Sequence, residues 1–326
     1  MNASHAAASI PAQAVGVDVG GSWISAYRVS PEGEILARAE VPSPADDPEA
    51  LVAASVGIAH GLANADVVAV GIGAAGMVDH TGTVRFSPNL AWRELPLAAR
   101  VADKIGLPVL VGNDANVAAW GEFRVGAGRD VEHLLLVTVG TGIGGGIVSQ
   151  GALVRGTHGF AAEIGHIIVE PNGPVCGCGN RGCLEQVASG TAIRRAGVQA
   201  AQEHPRSLLA SLVDQDAERV TGELVTRAAR EGDSVARSVL AVVGRRLGEG
   251  IAGLVNVLDP EIVVIGGGVV DAGDLLLAPA RAAYRDAVEA VQHRPSLAPI
   301  VPAALGNDAG GVGAALLALE ELTDLG

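Results

Sequence analysis

Lysine is almost absent: the 326 residues contain one, Lys104. Ile105 follows it, so no glycine-rich loop ending in Gly-Lys-Ser/Thr can form, and it lacks the Val-Ala-Ile-Lys setting of protein kinases. Any phosphate bound here is left to backbone N–H groups and a metal ion. Positive charge is scarce throughout, with 22 Lys and Arg against 36 Asp and Glu and a net charge of −14. That excludes nucleic acid and anionic membrane surfaces as main partners. It does not exclude a phosphorylated ligand, because amides bind phosphate without net positive charge. No run of about 18 strongly apolar residues reads as a membrane span. Residues 1–14 lack the basic start and apolar stretch of an export signal. They read as a disordered tail, and the protein as cytoplasmic. Aromatic residues make up 2% and say little about association surfaces.

Cysteine is scarce too, and the three present, Cys176, Cys178 and Cys183, fall in one short segment. An odd number cannot pair off internally, and a reducing compartment disfavours disulfides. His166 lies ten residues before Cys176. Three thiolates and one imidazole make a closed tetrahedral Zn²⁺ set with no open position, hence a structural zinc. The plain alternative is a reduced, metal-free loop. The other histidines show no ligand spacing.

Hydrophobic residues are abundant, at 49%, enough for two cores. Strands are expected at Val15–Val19, Trp23–Val29, Ile35–Val41, Val67–Ile72, Val109–Gly112, Leu134–Val139 and Ile262–Ile265, with a hairpin turning at Gln150-Gly151. Helices are expected from Asp47-Pro48 through residue 64, at Leu97–Ile105, through most of 185–258, and at 274–291 and 310–322. Two stretches open with strand, glycine turn, strand, which favours an α/β architecture of two related domains with a cleft.

Three glycine turns follow apolar strands. Asp18-Val19-Gly20-Gly21-Ser22 puts a carboxylate and a hydroxyl beside a turn, which suits a Mg²⁺–phosphate site; an Asp-capped turn is the plain reading. Gly140-Thr141-Gly142-Ile143-Gly144-Gly145 matches G-x-G-x-x-G, but a hairpin rather than a helix is expected after it, which demotes a dinucleotide site. Gly266-Gly267-Gly268 alone would be a simple strand-to-helix connection. Asn113-Asp114 ends a strand. Asp114 reads either as a general base or as the N-cap of a helix over Ala115–Gly121, and the residues themselves leave both open.

With these motifs assembled, the chain resembles the ROK family (repressors, open reading frames, kinases), and within it the bacterial, actinobacterial-type, ATP-dependent glucokinases. The resemblance spans about residues 14–322. The segment HGFAAEIGHIIVEPNGPVCGCGNRGCLEQ carries the most specific signal, with Glu163-x-Gly165-His166 and the pattern from Cys176 to Glu185. The resemblance implies the actin-like, hexokinase-type ATPase fold, with ATP in the interdomain cleft. It implies a smaller domain of 15–116 plus 308–326 and a larger one of 117–307 holding a zinc segment at 166–183. Asp18, Gly20, Gly21 and Ser22 match the first phosphate motif, and Thr138, Gly140, Thr141, Gly142, Gly144 and Gly145 the second. Gly266, Gly267 and Gly268 match the adenosine-side turn. Asp114 matches the general base. Asn89, Asn113, Asp114, Glu163, His166 and Glu185 match sugar contacts, with His166 also ligating zinc. Glucose, ATP, Mg²⁺ and a structural zinc are the implied ligands, and a homodimer or homotetramer the implied assembly. Ser22 and Trp23 depart from the usual Thr and Lys, which admits a polyphosphate donor. Another hexose or N-acetylhexosamine (mannose, fructose, N-acetylmannosamine or N-acetylglucosamine) is the alternative acceptor. A silent sugar sensor is the non-enzymatic alternative. A DNA-binding repressor is disfavoured by the short stretch before Val15 and by the charge.

Overall fold

The computed structural model describes residues 12–323. They pack as two compact units. The first comprises the described residues through Arg129, with Arg155–Ala161 and the described residues from Asp308 on. The second comprises Asp130–Val154 and Ala162–Asn307.

In the first unit, three strands run antiparallel: β1 (Gln13–Val19), β2 (Trp23–Val29) and β3 (Ile35–Pro42). Helix α1 (Pro48–Leu62) follows, capped by the Asp47 carboxylate, which accepts from the N–H groups of Glu49 and Ala50. β4 (Val67–Ala74) returns parallel to β1. Three short strands, β5 (Met77–Val78), β6 (Val84–Phe86) and β7 (Arg93–Leu95), form a separate small sheet. Helix α2 (Leu97–Ile105) leads to β8 (Val109–Asn113), parallel to β4, and helix α3 (Asp114–Val125) starts without a connecting loop. The main sheet has the order β3-β2-β1-β4-β8. Its alternating apolar residues, Val15, Val17, Val19, Ile24 and Ile72, are buried with Leu51 and Trp92.

The second unit repeats this plan. β9 (Leu134–Val139) and β10 (Ile143–Ser149) are antiparallel, and β11 (Ala152–Leu153) extends the hairpin. Helices α4 (Leu184–Ala188), α5 (Gly190–Glu203), α6 (Leu208–Ser211), α7 (Gly222–Arg230) and α8 (Ser234–Leu258) follow. β12 (Ile262–Gly266) returns parallel to β9. Helix α9 (Asp274–Ala287) then precedes β13 (Ile300–Pro302), which lies parallel to β12. The order β11-β10-β9-β12-β13 has the same relative directions as the first sheet. One core lies on this sheet, around Leu135, Val137, Ile251 and Ile265. A second lies among the helices, around Ile193, Leu209 and Leu240.

The C-terminal helix (Ala309–Thr323) crosses the first sheet at unusually close range. A Cβ on Gly16 would overlap the Gly311 carbonyl, and one on Gly71 the Ala314 carbonyl. Backbone meets backbone there, so only glycine fits.

Several sequence expectations change. Gln13 and Ala14 belong to β1 rather than to a tail, and the rest of that tail, up to Pro11, lies outside the described residues. The second glycine segment is a turn only at residues 140–142. Gly144 and Gly145 are strand residues opposite Thr138 and Val137, because pairing with β9 decides their conformation. Helix α9 stops at Ala287, not 291. The small sheet β5–β7 and strand β13 are too short to show periodicity.

Gly71→Ala is expected to lower Tm by about 3 °C or more, since over-packing typically costs about 1–3 kcal/mol. Gly57→Ala, on the exposed face of helix α1 with nothing near the added atom, is expected to leave Tm unchanged or raise it slightly. Calorimetry of both variants checks this.

Candidate active site

In the first unit the turn after β1 is closed by the Gly20 N–H donating to the Trp23 carbonyl at 3.0 Å. A Cβ on Gly21 would lie 3.7 Å from the Asn89 carbonyl oxygen and 4.0 Å from its Cβ, so Asn89 sits over this turn. Ser22 is exposed, and its carbonyl accepts from the Ser43 N–H at 2.9 Å.

Asp18 and Asp114 come together beside this turn. Asp18 pairs in register with Gly73 of β4, and Gly73 with Gly112 of β8. A Cβ on Gly73 would be 3.8 Å from Asp18 Oδ1 and 3.7 Å from Asp114 Cα. One on Gly310 of the C-terminal helix would be 2.7 Å from Asp18 Oδ2. Both residues are partly accessible, yet protein atoms crowd their carboxylates. Burial first, and the Asp114 charge second, push Asp18 up to about 7. Burial raises Asp114 against the opposing effect of the Ala115 N–H, which its Oδ1 accepts at 2.9 Å.

Asp114 is not the helix cap. Asn113 caps α3, its Oδ1 accepting from the Asn116 N–H at 3.0 Å, while its Nδ2 donates to the Gly76 carbonyl at 3.0 Å. The Asp114 carboxylate occupies the first helical position instead.

In the second unit the turn between β9 and β10 is anchored from α5. Gly190 N–H donates to the Gly140 carbonyl (2.8 Å), and the Thr191 hydroxyl to that of Thr141 (2.7 Å). Gly266 pairs with Thr138, and Gly267, at φ +83°, packs against the Val139 backbone. The second and third glycine turns are therefore neighbours. The anchoring residues Gly190 and Thr191 carry no motif in the sequence and are found only through these bonds.

Glu163, His166, Glu185 and the cysteines form the other cluster. The ligand atoms of His166, Cys176, Cys178 and Cys183 all lie within 4.8 Å of one another. Cys176 Sγ is 3.6 Å from His166 Nδ1, and Cys178 Sγ is 3.6 Å from Cys183 Sγ. Tetrahedral zinc with bonds of about 2.3 Å to sulfur and about 2.0 Å to nitrogen sets such edges at about 3.5–3.8 Å. The donor set fits zinc in type, number and spacing. His166 turns Nδ1 to the cysteines and Nε2 to Glu163, whose Oε2 is 3.9 Å away. One imidazole thus faces both the knot and the carboxylate. Ala162, just before Glu163, has φ +68°, a conformation uncommon for a residue with a side chain. Glu185 reaches the glycine turn, with Oε2 accepting from the Ile143 N–H at 3.2 Å.

A duplicated sheet of this order, with a glycine turn between the first two strands of each copy, defines the actin-like, hexokinase-type ATPase fold. The chain belongs to the ROK family, which residues 14–321 match. A glucokinase from Streptomyces coelicolor is 44% identical over 310 residues, 94% of this chain and 97% of that one. A glucokinase from Halalkalibacterium halodurans is 41% identical over 94% of this chain and 95% of its own length. The crystal structure of a ROK family glucokinase from Streptomyces griseus, in complex with glucose and AMPPNP, aligns with TM-score 0.85 at 44% identity, covering 94% of this chain and 99% of that one. Among the described residues no helix is long and apolar enough to cross a membrane.

Two outcomes follow from these geometries. Metal analysis should find one zinc per chain, and Cys178→Ala should remove it and lower Tm, because a knot without its fourth ligand loses folding energy. Asp18, raised in the folded state, binds a proton that the unfolded chain releases between the ordinary carboxylate pKa of 3.8 and about 7. Ligand-free stability contributed by this group therefore falls as pH rises through about 7. Asp18→Asn should raise Tm at pH 8 by about 3 °C or more and leave it little changed at pH 4.

Proposed function

We propose that the chain is an ATP-dependent glucose kinase that transfers the γ-phosphoryl group to the sugar 6-hydroxyl, with Asp114 as general base. The observation that carries the residue assignment is the Asp114 carboxylate itself, raised in pKa by burial at the head of α3 and next to a second carboxylate. A base poised above the ordinary carboxylate range accepts a proton more readily near neutrality. The choice of donor and acceptor rests on the similarity, along nearly the whole chain, to glucokinases and to the structure holding glucose and AMPPNP.

Asp114 accepts the proton from the attacking hydroxyl. The sugar oxygen bonds to the γ-phosphorus, the bond from that phosphorus to the β–γ bridging oxygen breaks, and ADP leaves. Asn89, Asn113, Glu163, His166 and Glu185 meet the remaining hydroxyls, each of which needs a partner when water leaves. For Asn113 the contact uses the second lone pair of an Oδ1 already capping the helix. The amides around Gly20, Gly21 and Ser22, and around Gly140, Thr141 and Gly142, meet the phosphates. Thr138, Gly144 and Gly145 shape the second turn from the strands, and Gly266, Gly267 and Gly268 leave room for the nucleoside. Asp18 is the carboxylate that would hold Mg²⁺, which when bound offsets phosphate charge. Zinc would stay a structural ion that fixes His166 and the segment leading to Glu185. A cytoplasmic location and an assembly of two or four like chains go with this reading.

Asp114→Asn is expected to lower kcat by about 10²–10⁴-fold or more, with an unchanged melting profile or a higher Tm. A panel of hexoses and N-acetylhexosamines against ATP and polyphosphate should show glucose with ATP as the preferred pair. Near-normal turnover in the variant would remove the base assignment, and a different preferred pair the substrate assignment.

A further inference from the structure

We propose that Arg93 is the positioning residue for Asn89: it closes the loop that carries this sugar contact, and so sets how tightly the sugar is held without touching it. The inference rests on the kinase reading above.

Asn89 lies in the loop of residues 87–92 between β6 and β7. The cross-strand pair Phe86–Arg93 closes that loop at its base. The buried residues inside it are anchors. Ser87, Leu90 and Trp92 are shielded from solvent. Ser87 Oγ accepts from the Leu90 N–H at 3.2 Å, and the Ala91 N–H donates to the Ala45 carbonyl at 2.8 Å. Trp92 Nε1 donates to the Pro48 carbonyl at 3.3 Å. Pro88 and Asn89 face solvent instead. The carbonyls of Leu90 and Trp92, on the chain leaving Asn89, turn to a single group. Arg93 Nη1 donates to them at 2.9 Å and 2.6 Å.

The guanidinium is itself held in place. Its carbon lies 4.3 Å from the centre of the Phe86 ring, where the ring face attracts a cation. The next residue, Glu94, has φ +45°, a value uncommon for a residue with a side chain. Arg85 Nη1 grips the Glu94 carboxylate at 2.6 Å. Backbone strain of this kind persists where neighbouring contacts over-determine it, and it collects at ligand sites. A loop with no such tie would spread over several conformations, and a sugar would bind only the fraction with Asn89 in place. Arg93 meets that ordering cost before the sugar arrives. It is exposed, so replacing it removes the tie and leaves the core beneath the loop intact.

The test is a double-mutant cycle on glucose affinity, read as KM for glucose at saturating ATP and as glucose Kd by calorimetry. Asn89→Ala is expected to weaken glucose by about tenfold. Arg93→Gln is expected to weaken it by about 5–20-fold. Arg93→Lys should lie between Arg93→Gln and wild type, since an ammonium reaches a carbonyl but lacks the flat face for the ring. Arg93→Gln added to Asn89→Ala should weaken glucose by no more than about twofold further, because a residue that acts through Asn89 then has nothing to position. Full multiplication of the two single effects overturns the proposal, as does wild-type glucose affinity in Arg93→Gln. Wild-type glucose affinity in Asn89→Ala overturns the Asn89 assignment of the kinase reading, and this inference with it. If Arg93→Gln fails to fold, Phe86→Leu takes its place in the cycle, removing the ring from under the guanidinium at a half-exposed position. Its effect should likewise vanish in the Asn89→Ala background, and an effect that persists there overturns the proposal.

Discussion

Two carboxylates forced to be neighbours govern the first unit. Asp18 lies one residue before the end of β1 and Asp114 begins a helix, and parallel pairing through Gly73 brings them side by side. The C-terminal helix then closes over Asp18, leaving room for no side chain at Gly310. Burial makes this costly, raising the pKa of each, and the Asp114 charge raises Asp18 further. The cost is borne by a sheet whose inward strand residues are fully buried. Sites that hold charge ready for a ligand are characteristically unstable without it, and stability and activity then pull apart at the same residue.

The second unit solves a different problem. Between His166 and Leu184 the chain has no helix or strand beyond two isolated bridges, Ile168 with Cys183 and Val175 with Arg181. Ile167 packs on the core, but Ile168 and Val175 face outward, at 55% and 61% exposure. Such a segment has little core of its own, so a metal held by the His/Cys cluster would supply the cross-link that packing does not. The knot lies between the two ends of the proposed sugar site, His166 before it and Glu185 after it.

The shortage of cationic side chains is consistent with this design. With one lysine in the chain, the proposed site leaves phosphate charge to amides in glycine turns and to a metal that Asp18 would hold. Such turns work only where glycine lets the backbone come close. The same close approach recurs where the C-terminal helix meets Gly16 and Gly71, where glycine serves packing. The duplicated strand order survives with little sequence identity, because what is retained is strand direction and turn position rather than particular side chains.

By itself the sequence determined the local elements with strong signals. Strands Trp23–Val29 and Leu134–Val139, helix Leu97–Ile105 and the Asp47 cap are legible because apolar period and capping chemistry are local. The Cys/His set is legible for the same reason, since ligand type and spacing lie within one segment. Tertiary structure decided the rest. Pairing with β9 turned Gly144 and Gly145 into strand, the capping role went to Asn113 because strand β8 delivers its amide to the Asn116 N–H, and Glu185 reached a turn more than forty residues earlier in the chain. These are contacts between distant segments, whose energies depend on how sheets and helices stack, and no periodicity or motif along the chain encodes them.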